Sequence, residues 1–356
     1  MSMIAGFLTR MILMRFATIL LGITAFVLTL EVVGYVSDIL ALGGNAFASI
    51  GQYVLMRSPA ILSTFLPMSL LLALLLTMTE LSYRNEMSAI FAAGISPVRL
   101  ILMLIPVALV TGGLHFLIND QAIPAAAPTL KLWGIGDYAA KKLNVSQTDP
   151  IWIRSGNDIM RATKVSADSK SLEDLIIFRR DEQGLLKEQI YADQASQDAD
   201  RWLLKNVIIY YANNLPPDKL DSLIYTGTMR PANAARSGDP EEMTLQDLNY
   251  FIANQGFGIR PVYVYQTWWH KRVTPFIVSF MMIALCVPLS TRFRRGGGLG
   301  MLFAVGVGLG FLYFVSDGIA STIGELGLVT PWLAAWAPVL IFGAIALSFV
   351  AKTEHV

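Results

Sequence analysis

Apolar residues gather into six long runs in this chain, three before and three after a polar stretch. The runs cover residues 16–36, 60–81, 98–117, 273–289, 299–320 and 332–350. About 20 apolar residues cross a hydrocarbon core, so each run predicts a transmembrane helix. Between the second and third runs lies LSYRNEMSAIFAAGISPVR, residues 81–99. Its spacing predicts a short polar helix at the membrane surface, over about residues 82–95. Ser82 is the N-cap candidate, since its hydroxyl accepts an orphan backbone N–H. Met87, Ile90, Phe91 and Gly94 share a face, with Asn85, Glu86 and Ser88 off it. Gly94 can close the helix left-handed, and Ser96-Pro97 reads as the next start. The helix then offers a partner an apolar knob, Met87 and Phe91, ringed by Arg84 and Glu86. The plainer reading is a connector lying in the interface.

The polar stretch alternates with a period of two in short segments, residues 151–153, 158–165, 175–180, 189–192, 203–211 and 223–228. Turn-like pieces (SGND, ADSKS, DEQG, NNLPPD) separate them. That pattern predicts an all-β domain with open strand edges. TLQDLNYFIAN, residues 244–254, reads as a helix with capping-box-like spacing at Thr244 and Asp247 and a stop at Gly256. The fold expected is an α-helical membrane protein of six spans with an inserted all-β domain. Its parts are residues 1–137, 138–260 and 261–356.

Composition agrees: 54% of the 356 residues are hydrophobic and 15% charged. A net charge of +1 gives no reason to expect nucleic acid. One cysteine, Cys286, excludes an intramolecular disulfide, and His115, His270 and His355 are too scattered to suggest a metal site. Lys and Arg orient the spans. Arg10, Arg15, Arg84, Arg99, Arg292, Arg294, Arg295 and Lys352 fall on one side of an alternating topology, while the short loops opposite contain only Arg57. Both termini and the short helix are therefore expected in the cytoplasm, with the β domain exported. The first run is too long for a secretory signal and lacks a clean cleavage site, so it is read as a retained span.

Little in the chain suggests catalysis. RRGGGLG, residues 294–300, lacks the order of a phosphate loop, and no ATPase site is apparent. Glu31, His115 and Asp317 are ionisable residues within apolar runs, which makes each a functional candidate or an interfacial group. Lys271 and Arg272 lie at the depth of Glu31 and are its expected partners. Run five carries Gly298, Gly300, Gly306, Gly308 and Gly310 before Phe311 and Phe314, which suits close helix packing or a movable wall. Pro288 is expected to end or kink the fourth span.

Taken together, the pattern resembles the LptF/LptG permease family of the lipopolysaccharide exporter. The resemblance covers nearly the whole chain. It rests on three spans, an exported β domain and three more spans, with Arg84-Asn85-Glu86 and Ala93-Gly94-Ile95-Ser96 after span two. Phe65-Leu66-Pro67, Trp269-x-Lys271 with Pro275, Val287 to Ser290 (VPLS) and FLYFVSD ending at Asp317 support it. FLYFVSD, Pro331 and IWIRSGNDIMRATKV are closer to the LptG branch.

The resemblance implies a non-catalytic permease in the inner membrane with a β-jellyroll-like periplasmic domain. It implies an LptF-like permease beside it, an LptB-like ATPase dimer that binds ATP and Mg, an LptC-like single-span protein and an LptA-like bridge. Lipopolysaccharide is the implied substrate, and no cofactor is held by this chain. By position, Arg84, Asn85, Glu86, Met87, Phe91 and Gly94 fall on the helix that couples to the ATPase. Phe26, Glu31, Tyr35, Asp38, Lys271, Arg272, Phe311, Phe314 and Asp317 fall on the lipid cavity or its gate. The chain lacks lysines that some members carry near the outer end of span one, and Lys271 and Arg272 are the cations available to replace them. An intramembrane lipid-modifying enzyme and an envelope scaffold are the rival readings.

Overall fold

A computed structural model describes residues 2–43, 45–139, 151–165, 171–198, 201–213, 215–227, 229, 239–254, 260–293 and 299–354. The chain divides into two compact units, Met1–Ala126 with Gln266–Val356, and Ala127–Tyr265.

The first unit is helical. Helix α1, Ser2–Gly34, is followed by the short α2, Val36–Leu40, and by α3, Ala46–Tyr83. At about 1.5 Å per residue, α3 is far longer than a hydrocarbon core. It therefore absorbs most of the loop expected over residues 37–59. Asn45 caps it by accepting from the Phe47 amide at 3.1 Å. Then follow α4, Glu86–Ala92, α5, Pro97–Met103, and α6, Ile105–Leu117. The third apolar run is thus broken at Leu104 (φ −94°, ψ 3°), where Pro106 removes a backbone donor. A π-helical turn, Ile118–Ala122, leads into α7, Ile123–Trp133. Among the described residues, five helices are long and apolar enough to span a membrane, and α4 with α5, bent by 107°, makes a sixth if the pair is taken as one span; the third apolar run itself falls on α5 and α6.

Small residues set the packing. Gly306 and Gly310 are one turn apart, and a Cβ on either would strike Leu75 or Leu71 of α3. Close approach of this kind suits membrane helices, which gain little from burying apolar surface against each other. Helix α9, Val262–Phe293, contains both Pro275 and Pro288. Pro288 does not end it, and the helix continues to Phe293. Helices α10, Leu299–Glu325, and α11, Pro331–Glu354, complete the unit.

The second unit holds an antiparallel sheet. Its strands are β1 Ile151–Ser155, β2 Asp158–Ala162, β3 Lys164–Val165, β4 Ser171–Arg180, β5 Leu186–Asp198, β6 Arg201–Tyr211 and β7 Asp218–Tyr225. The order is β1-β2-β4-β5-β6-β7, with β3 also on β4, so the sheet is a meander. Buried positions alternate, then skip by three at Leu172/Leu175, Ala192/Ala195 and Leu204/Val207. Asp174, Asp193 and Asn206 sit opposite one another in those gaps. Asp174 and Asn206 both have φ of 52°, a left-handed conformation that Asp and Asn tolerate. One extra outward residue per strand creases the sheet along a straight line and keeps its apolar side inward on both halves. Among the described residues, the buried cluster against that face comes from the strands themselves and Met229. Strand β1 meets a helix, α8, Leu245–Ala253, through Tyr250 Oη to the Arg154 carbonyl and the Gly156 amide to Asn254 Oδ1 at 3.0 Å. The α8 capping box is present, with Thr244 Oγ1 accepting from the Asp247 amide at 3.1 Å. Gly256 and residues 294–298 lie outside the described residues.

Candidate functional site

Two places in the helical unit carry the sequence candidates. The first is α4. Helix α3 runs on to Tyr83, so Ser82 lies inside it and caps nothing. The chain instead turns at Asn85, which is left-handed (φ 59°) with no side-chain cap. That turn resets the helical phase. Met87 points into the bundle and is 1% exposed, and Ile90 and Phe91 pack against the same core. The expected knob of Met87 and Phe91 is therefore the anchor of α4, because the apolar side must face the bundle. The outward face is flat: Ala89, Ala92, Ala93 and Gly94, with Glu86 at one end and Arg99 at the other. Gly94 closes the helix at φ 81°, and Ser96 caps α5 by accepting from the Arg99 amide at 3.2 Å. Arg84 is drawn back along α3 to Glu80 at 2.7 Å, and Glu80 also holds Arg15. Glu86 is exposed and makes no ion pair among the described residues.

The second place is a cavity of about 350 Å³ between α3, α6, α9 and α10. Lys271, Arg272, Phe314 and Asp317 line it, together with Ser63, Thr64, His115, Asn119 and Trp268. Below them the wall is apolar, with Met68, Leu71, Val278 and Met282. Lys271 Nζ lies 2.7 Å from Asp317 Oδ2 and also donates to Ser321. Trp268 sits under the Lys271 ammonium at 5.6 Å and gives its indole N–H to Glu325 at 2.6 Å. Ser63 Oγ donates to Asn119 Oδ1 at 2.9 Å, which leaves it to accept from His115 Nε2 at 3.1 Å. Asn119 Nδ2 donates to the His115 carbonyl at 3.0 Å. This is not a nucleophile arrangement, which needs the serine proton offered to the imidazole and an orienting partner on Nδ1. It is a closed hydrogen-bond chain that satisfies polar groups at membrane depth.

The remaining candidates lie elsewhere. Glu31 does not meet Lys271 or Arg272. Arg57 of α3 grips it in a fork, with Nη2 2.7 Å and Nε 3.0 Å from Oε1. Asp317 took Lys271 because it stands across α9–α10, whereas Glu31 is on α1 beside α3. Phe26 and Phe311 are exposed on α1 and α10 and do not line this cavity. Tyr35 and Asp38 lie at the α1–α2 junction. Sequence reading missed Arg57, Ser63 and Asn119. The available signal was a polar residue within or next to an apolar run: Ser63 inside the second, Arg57 just before it and Asn119 just after the third.

The profile of the lipopolysaccharide export system permease LptF/LptG matches residues 6–352. The chain belongs to that family. Among relatives, it is 25% identical over 306 residues to the lipopolysaccharide export system permease protein LptG of Haemophilus influenzae, covering 80% of each chain. It is 23% identical over 345 residues to the protein of the same name from Escherichia coli strain K12, covering 93% of this chain and 94% of that one. For an LptF/LptG permease, the expected features are the multi-pass helical unit and the inserted antiparallel sheet, and both are present.

Proposed function

We propose that this permease moves lipopolysaccharide out of the inner membrane as one half of a transporter driven by a separate ATPase. The relatives named for lipopolysaccharide export support the substrate. The observation that carries the coupling is the outward face of α4. Its Ala89, Ala92, Ala93 and Gly94 surface is small enough to enter a groove, and Glu86 is an exposed carboxylate at its rim with no ion pair among the described residues. A carboxylate there can make a charge-assisted bond to a basic side chain of the ATPase. On this reading α4 and both termini are cytoplasmic, as the Lys and Arg distribution favours, and the β domain is periplasmic. A second six-span permease completes the lipid cavity, with Phe26, Glu31, Tyr35, Asp38 and Phe311 at its gate. The creased sheet receives the lipid, and an LptC-like span and an LptA-like bridge carry it onward. ATP and Mg belong to the ATPase.

The test is affinity purification of the chain in mild detergent from its native membrane, with co-purifying chains identified. An ATP-binding subunit and a second six-span chain are expected, with the ATPase lost from Glu86→Lys. Recovery of the chain alone, or an unchanged ATPase yield in the variant, overturns the coupling role.

A further inference from the structure

The β-bearing unit is joined to the helical unit by two chain connections, α7 on the way in and α9 on the way out. Lys131 lies in the last turn of α7 and its side chain is fully buried. Its Nζ is 3.1 Å from Asp239 Oδ2 and 2.5 Å from Glu242 Oε2, two residues that are 108 and 111 positions further along the chain. Asp239 also accepts from Arg260 Nη2 at 3.2 Å, two residues before α9 begins. In the chain segments flanking the cluster, Leu130, Ile135, Tyr138, Met243 and Leu248 are buried, and further along Phe251 stacks on Tyr265 at 4.9 Å. A buried lysine bound to two carboxylates is an expensive way to hold a fold, since apolar residues of like volume often serve as well or better. Its best-attested use is to fix one geometry against alternatives.

We infer that Lys131, with Asp239 and Glu242, is an ionic latch that makes the incoming and outgoing connections move as one, so that motion of the spans reaches the β domain. Lys131 is a positioning residue. Its coupling role rests on the transport reading above, while the latch itself does not. Without the latch, each connection shifts independently and the sheet no longer follows the bundle.

Two readouts separate these claims. In the full chain carrying Cys286→Ala, spin labels at Leu132→Cys and Asn249→Cys report the distance from α7 to α8. A single narrow distribution is expected. Lys131→Met broadens it, and the exchange Lys131→Glu with Glu242→Lys narrows it again. In the reconstituted complex, Lys131→Met lowers lipid delivered per ATP hydrolysed about tenfold while hydrolysis stays within about twofold, and the exchange restores delivery. An unchanged distance distribution in Lys131→Met overturns the latch. A broadened distribution with an unchanged lipid-to-ATP ratio, or hydrolysis falling in parallel with delivery, overturns its coupling role. If the wild-type complex hydrolyses no ATP and delivers no lipid, the transport reading fails, and the distance measurement still decides the latch.

Discussion

Gly112 and Gly113 are neighbours on α6, and replacing each by alanine should affect stability differently. An ideal Cβ on Gly112 falls 2.8 Å from the Phe276 Cα of α9 and 3.3 Å from its amide nitrogen. Both are backbone atoms, so no side-chain rotation relieves the clash. Carbon atoms in contact settle about 3.5–4.0 Å apart, so α6 and α9 must separate by roughly 0.7 Å or more. Overpacking of this kind costs about 1–3 kcal/mol. On Gly113 the same Cβ meets only Phe276 Cε1, at an ordinary 3.9 Å. Alanine in a helix interior gains about 0.8–1 kcal/mol over glycine. That gain is common to both variants and cancels in their comparison, which leaves the clash alone, about 1–3 kcal/mol. Thermal unfolding in one detergent, followed by tryptophan fluorescence, is the assay. Gly113→Ala should melt at or above the parent, and Gly112→Ala below Gly113→Ala. Equal midpoints, or the reverse order, would refute the close α6–α9 contact. His115, a turn beyond Gly112, and Pro275, next to Phe276, both line the polar cavity, so this contact lies close to it.

Three further outcomes follow from the geometry. Arg57→Gln should destabilise the chain by about 3 kcal/mol or less by leaving Glu31 part-buried and uncompensated, and adding Glu31→Gln should recover part of the loss; an additive double-mutant cycle would refute the pairing. Met87→Ala should cost about 2–5 kcal/mol in melting experiments because the side chain is fully packed, whereas Ala92→Glu should stay within about 0.5 kcal/mol yet weaken ATPase co-purification. Burial raises the Tyr225 phenol above its ordinary value of 10.0; the hydrogen bond with Ser155 lowers it by less, the neighbouring Asp158 carboxylate raises it further, and Arg179 opposes this last. A raised value in the fold means the proton is held more tightly there, so this contribution is complete below about pH 10 and lost as pH climbs through the folded value. Tyr191 and Tyr211, beside Asp174 and Asp218, are shifted upward too, so alkaline titration followed by phenolate absorbance should show several late tyrosines, with one fewer in Tyr225→Phe.

Local signals were readable from sequence because their causes span a few residues. Gly94, Ser96-Pro97 and Thr244 with Asp247 each mark a helix end through its own backbone, and each does so in the structure. The side on which α4 buries Met87 was not readable from its own spacing. Spacing places Met87, Ile90 and Phe91 on one face but does not say whether that face meets a partner or the bundle. The left-handed Asn85 decides it by resetting the direction of the chain after α3. Ion-pair choice failed for a similar reason. Depth along the membrane normal matched Glu31 with Lys271 and Arg272, but pairing also needs adjacent helices, and α1 lies against α3.

The crease in the sheet is the opposite case, since its signal lay in the sequence and was passed over. A half-buried strand repeats every two residues, so an inward pair spaced by three means an extra residue has been inserted. Leu172 and Leu175, Ala192 and Ala195, and Leu204 and Val207 all show that spacing. One such skip is noise. Three skips that fall in register on neighbouring strands define a line across the sheet, and Asp or Asn stands in each gap where a left-handed turn is cheapest. Register therefore converts three weak local irregularities into one global bend. The latch at Lys131 follows the same rule on a longer scale. A lysine near a helix end is ordinary in sequence, and it acquires a role only when the fold brings Asp239 and Glu242 to it.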